Sequence, residues 1–264
     1  MNEIFSFKRY SKLLTKELKE RRIIILKMAG IVSIIVLGIW LTSILLKGGT
    51  GVSPSFRLSM MLIILVITMI AAPFNLYKSY NHPKKGIDYA LLPASVYEKF
   101  FSMLTIVVII TPITIFAALM LTDFVLSIIT PSVFYGFAFS GKIDEISFSS
   151  IYDVLIVQWA FIFGNFLFKK SKITKTISLG IGIYLVLGLI LASTVKSVVF
   201  GQGDNSVNFS MEINNLSDFL ANNSYDEENK IRLLLYTTKT IVYYIIPIGC
   251  LGGTLLKMKN QQYY

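Results

Sequence analysis

Residues 77–101 read YKSYNHPKKGIDYALLPASVYEKFF. This polar stretch between two long apolar runs decides how the rest of the chain is laid out. It carries Lys78, Lys84, Lys85 and Lys99, punctuated by Pro83, Gly86 and Pro93. The ring of Pro93 crowds Leu92 out of the helical region, so a helix arriving from the N-terminal side stops before it. Ser95 and Glu98 have the spacing of a capping box. The serine hydroxyl accepts from the amide three residues on, and the glutamate accepts from the serine's own amide. The spacing predicts a helix that starts at Ser95 and runs through Lys99 into the next apolar run. Residues 78–99 then form an ordered connector held at the membrane face by two helices, which suits docking to another protein. The plainer alternative is an ordinary re-entry loop ahead of a well-capped helix.

The composition outside this stretch sets the class. Of 264 residues, 54% are hydrophobic and only 15% charged, well under the roughly 25% charge of a soluble domain. Long uncharged runs recur along the chain, and short alternating segments are absent. The expected fold is therefore all-α: one polytopic membrane domain over residues 1–264, with a β-barrel excluded. The net charge of +10 follows the membrane and is no nucleic-acid footprint. The single cysteine, Cys250, excludes an internal disulfide and a cysteine metal cluster. The N-terminus reads as an uncleaved first span rather than a removed signal peptide.

Six membrane spans are predicted, over residues 23–46, 58–76, 100–122, 151–168, 176–195 and 233–256. Ahead of them, residues 1–22 read as an amphipathic interfacial helix. Phe7, Tyr10, Leu14 and Leu18 share one stripe, and Lys8, Lys12, Lys16 and Lys19 the other, the pattern of a helix lying in the headgroup layer against anionic lipid or a protein partner. The plainer alternative is a basic flank that only fixes orientation. Residues 123–139 are apolar but broken by Pro131 and Gly136. They are expected to form a re-entrant or interfacial helix on the outer side, or an extension of the third span. Residues 196–230 form an outer polar segment. On this topology 18 of the 25 Lys and Arg fall inside, with 5 of the 15 acids. Both termini are therefore expected in the cytosol, since only cytosolic Lys and Arg set orientation.

Few residues could carry chemistry. Gly136, Gly141 and Lys142 match the spacing of a phosphate-binding loop, but Ile143 stands where a Ser or Thr should hold magnesium. His82 is the sole histidine, so no Ser-His pair or histidine metal site can be built. The chain is not expected to be an enzyme or to bind a cofactor or metal. Ionisable residues at membrane depth mark transport paths. The candidates are Asp123 and Asp153 at span ends and Lys239, about two turns into the sixth span, as a partner for either acid or a snorkelling side chain.

This layout resembles the membrane (permease) subunit of a type-2 ATP-binding-cassette exporter of the small bacterial kind. The likeness rests on the basic N-terminal helix, the six spans, the 78–99 connector and the outer segment before the last span. The LLPASVYEKF run at residues 91–100 is similar to one common in short permease-like proteins. The apolar 123–139 stretch and the long outer segment depart from the plainest family layout. The resemblance implies a bacterial cytoplasmic membrane, a second permease subunit (identical or paralogous) and a separately encoded cytosolic ATPase that alone binds ATP. It also implies that the connector is the coupling helix, with Lys84, Lys85, Asp88, Tyr89, Leu91 and Leu92 as contacts and Glu98 and Lys99 nearby. The alternative of another class is a non-transporting scaffold, sensor or immunity protein, which would work without any ATPase. A secondary transporter is disfavoured by sparse mid-membrane charge and the lack of a visible inverted repeat.

Overall fold

The computed structural model describes residues 5–46, 48–49, 51–78, 92–140, 148–199, 233 and 236–261, with the backbone alone for 148, 191–199 and 261. All regular structure among them is helical, and six helices are long and apolar enough to cross a membrane. We number them α1 (Phe7–Leu46), α2 (Pro54–Leu76), α3 (Val96–Ile129), α4 (Phe148–Leu167), α5 (Lys172–Val199) and α6 (Tyr236–Asn260). The chain is a multi-pass membrane protein. It divides into two compact units, Met1–Ile173 with Cys250–Tyr264, and Thr174–Gly249. The boundary falls inside α5 and α6. In the second unit, α5 is exposed along nearly all its described side chains, and α6 carries a π-helical turn at Ile241–Ile245.

The first unit contains the site, and α1 organises it. The break expected between residues 22 and 23 is absent. One helix of 40 residues, about 60 Å long at 1.5 Å per residue, runs from the basic segment straight into the first span. Nothing between Arg22 and Ile23 stops a helix, since neither a proline nor a glycine intervenes. Its buried face descends in steps of three and four from Leu13 and Glu17, past the half-buried Arg21, through Ile25, Ala29, Val32 and Val36 to Trp40. The N-terminal part thus packs one face, centred on Leu13 and Glu17, on protein. Phe7 is 74% exposed, Tyr10, Leu14 and Leu18 are half-buried, and Leu13 and Glu17 sit at the centre of the buried face. Lys8, Lys12, Lys16 and Lys19 are exposed, as their spacing predicts.

Two apolar layers fill the first unit. One, towards the connector, gathers Ile25, Leu76, Phe100, Met103, Ile162 and Phe166; the other gathers Val36, Trp40, Met61, Ile115, Leu119 and Phe134. Between α2, α3 and α4 a single amide does what apolar packing cannot. Pro73 lies inside α2 and has no N–H, which leaves the carbonyl of Met69, four residues back, without a helical partner. In α3 a π-helical turn spans Thr105–Ile110, where Thr111 N–H donates to the Ile106 carbonyl five residues back. The next residue in that register is Pro112, so the Val107 carbonyl is orphaned as well. The side chain of Gln158 on α4, fully buried, donates from Nε2 to both carbonyls, at 3.2 Å each. One glutamine thus answers two prolines on two helices.

At the far end α3 continues through Asp123 to Ile129, so residues 123–129 extend the third span. Residues 130–137 then return irregularly to a 3₁₀ turn at Ala138–Ser140. Arg57, in the first turn of α2, holds this return. It pairs with Asp123 and donates to Ser127 Oγ (3.1 Å) and to the carbonyls of Tyr135 (3.0 Å) and Gly136 (2.6 Å). The second Asp123 oxygen accepts from Ala138 N–H at 2.8 Å. Gly136 takes a left-handed φ of +65°, a conformation costly for side-chain-bearing residues. Gly51 is needed for space: a Cβ there would lie 2.8 Å from the Val133 carbonyl, which accepts from Val52 N–H at 3.0 Å.

Candidate functional site: a connector anchored twice on α1

Both flanks of the connector are fastened to α1. At the exit, Ser95 has extended backbone (φ −66°, ψ 159°) and caps α3, completing the predicted box: Glu98 N–H donates to Ser95 Oγ at 3.2 Å and Ser95 N–H to Glu98 Oε2 at 2.9 Å. The glutamate is fully buried and does more than cap. Its Oε1 accepts from Ser6 N–H at 2.7 Å and from Arg9 Nε at 3.1 Å, with Arg9 Nη2 at 3.0 Å. Next along, the Tyr10 hydroxyl lies 2.8 Å from Thr105 Oγ1, and Phe5 meets Phe101 edge-on at 6.1 Å. With the Glu98 carboxylate buried and Arg9 partly exposed, the pair fixes geometry more than it adds net stability, because desolvating the carboxylate offsets much of the attraction.

At the entry, α2 ends on Tyr77, whose N–H donates to the Pro73 carbonyl. The tyrosine is buried, and its hydroxyl donates to Glu17 Oε2 at 2.6 Å. Burial and the Glu17 carboxylate hold this phenol well above its ordinary pKa, so it stays a donor. The Arg21 guanidinium stacks 3.8 Å over the ring and donates to the Leu76 carbonyl, one helical turn from Glu17. Lys99 is buried nearby and attracted by both Glu17 and Glu98. From α4, Asn165 donates to the Pro73 carbonyl at 3.0 Å and accepts from Lys172 Nζ at 2.9 Å. Arg9 and Arg21 are 12 residues apart, so the two attachments sit about 18 Å apart along one rigid helix.

Of the expected contact residues, Lys84, Lys85, Asp88, Tyr89 and Leu91 lie outside the described residues, as do His82, Gly141, Lys142 and most of the outer polar segment. Leu92 is half-buried, and with Pro93 it walls a cleft of about 390 Å³ whose other side is Arg9, Lys12 and Lys16 of α1. Glu98 and Lys99 are internal anchors rather than contact surface. Of the expected transport-path residues, Asp123 has both oxygens engaged, by Arg57 and Ala138, and Lys239 and Asp153 have exposed side chains. Spacing alone does not reveal Glu17, Tyr77, Arg57, Gln158 or Asn165. Gln158 and Asn165 are lone polar residues in apolar company, and that isolation is their signal; Glu17 and Tyr77 lie among other polar residues and carry none. No family model, curated protein or solved structure matches the chain.

Proposed function

We propose that this chain is the membrane-spanning permease subunit of an exporter of the type-2 ATP-binding-cassette kind, working in the bacterial cytoplasmic membrane as a dimer on a separately encoded ATPase. The observation that carries the reading is the double anchorage of the connector on α1. A loop tied at one end swings when pushed; one tied at both ends to a helix that continues into the membrane passes the displacement to that helix. Arg9–Glu98 takes the exit and Tyr77–Glu17–Arg21 the entry. ATP-driven movement of the partner would then displace α1, α2 and α3 together, the rigid-body kind of switching that alternating access needs. The chain contributes the path and the lever, and the partner supplies ATP chemistry. The exposed Lys8, Lys12, Lys16 and Lys19 stripe faces anionic lipid or the partner.

Charge reversal of Lys84 and Lys85, or Leu91→Asp, should leave membrane insertion and yield unchanged while cutting copurified ATP-hydrolysing activity about tenfold, equivalent to about 1.4 kcal/mol of docking energy. The measurement is ATP turnover per permease in detergent-extracted complexes. Full turnover by these variants, or function with the partner's ATP site inactivated, would favour a non-transporting scaffold, sensor or immunity protein.

A further inference from the structure

At the end of the helices opposite the connector, the third span outruns the membrane. α3 holds 34 residues, about 50 Å at 1.5 Å each, against a hydrocarbon core about 30 Å thick. Buried Glu98 and Lys99 mark its connector end, so the surplus falls at the other. α2 marks that level independently: it has 23 residues, about 35 Å, and its first turn carries Arg57. The return after α3 is fastened to that turn through the Tyr135 and Gly136 carbonyls and the Ala138 amide. A segment pinned to the first turn of a span sits at the membrane boundary.

The side chains it exposes there are aromatic. Phe134 and Ala138 turn inward, with Phe134 edge-on to Trp40 at 5.8 Å. Tyr135, Phe137 and Phe139 turn outward and are about half exposed. Phe137 stacks on the exposed Phe124 of α3 at 5.6 Å, with the rings 15° from parallel. The patch is thereby continuous with Leu121, Val125 and Ile128, apolar side chains that α3 leaves exposed. Residues 124–140 contain no Lys, Arg, Asp or Glu. A protein partner chosen by charge has nothing to read here, whereas the headgroup–acyl boundary accepts uncharged aromatic rings with a polar edge.

We propose that residues 134–139 form an aromatic foot seated in the headgroup–acyl boundary of the leaflet opposite the connector, with Arg57 as the strut that sets its depth. The partner is lipid, and the proposal is independent of the permease reading. The test uses the full chain with Cys250, the only cysteine, replaced by serine. Tyr135→Cys, Phe137→Cys and Phe139→Cys are spin-labelled separately and reconstituted into phosphatidylcholine–phosphatidylglycerol vesicles. Power saturation should find each label more accessible to oxygen than to a water-soluble nickel chelate, at a depth near the phosphates. Greater accessibility to nickel places the foot in water and overturns the proposal. Protection from both reagents means that a second copy or another protein covers it, and overturns it equally. If a cysteine variant does not fold, Phe137→Trp keeps a ring in place. Its added fluorescence over the parent should be quenched by lipids brominated near the carbonyl end of the chain; quenching only by aqueous acrylamide would count against the foot.

Discussion

Replacing Asp123 with alanine should cost about 3–5 kcal/mol of stability, because it leaves the fully buried Arg57 guanidinium without its counter-charge. The same change frees the Ala138 amide, so the return after α3 loses two ties at once. Removing both charged groups should be far milder than the sum of the single changes. Arg57→Met with Asp123→Leu removes two desolvated charges together, which in other buried pairs has been neutral or stabilising. Some penalty remains, since the carbonyls of Tyr135 and Gly136 lose their donor. Chemical unfolding in mixed micelles measures the cycle. The expected coupling is at least about 2 kcal/mol, within the range for residues in direct contact. Additive losses would mean that the pair is not a unit.

The second large effect is expected at mid-membrane. Gln158→Leu keeps the volume but removes the donor that serves both Met69 and Val107. A single side-chain hydrogen bond in a membrane protein averages only about 0.6 kcal/mol, which taken twice would predict a small change. Here, however, both carbonyls have lost their helical partners to proline and are enclosed by protein, so the cost of leaving them unpaired applies, about 1–3 kcal/mol each. We expect a loss of about 2–4 kcal/mol in the same assay. The proline origin of the demand has its own signature: in a Pro73→Ala background the regained N–H can serve Met69, and Gln158→Leu should then cost about half as much. An undiminished cost would show that Pro73 does not create the need.

What was legible in the sequence was local. The capping box at Ser95 and Glu98 joins residues three apart, and the structure reproduces both of its hydrogen bonds. The lysine stripe of α1 follows helical spacing and is exposed. Six apolar runs became six helices, although several ends moved: α2 begins at Pro54, where Ser53 caps it and proline suits the first turn, and α5 begins at Lys172. The change of composition at Arg22 looks like a boundary but carries no helix stop, and α1 passes through it. Glu17 counts as polar by type, yet it occupies the middle of the buried face because Tyr77, 60 residues away, donates to it. Arg57 and Asp123 are likewise 66 residues apart. No period or motif connects such pairs; only folding brings them within reach. Pro73 and Pro112 announce freed carbonyls, but not that one amide on α4 takes both.

The central claim is that the anchored connector is a docking surface for a cytosolic ATPase. Its most direct test is a photo-crosslinking amino acid placed at Tyr89 in the full chain and irradiated in native membranes. The account predicts one major adduct with an ATP-binding cytosolic subunit, diminished when Lys84 and Lys85 are charge-reversed. An adduct with a protein on the other side of the membrane, or none with any ATP-binding protein while lipid adducts form normally, would contradict it.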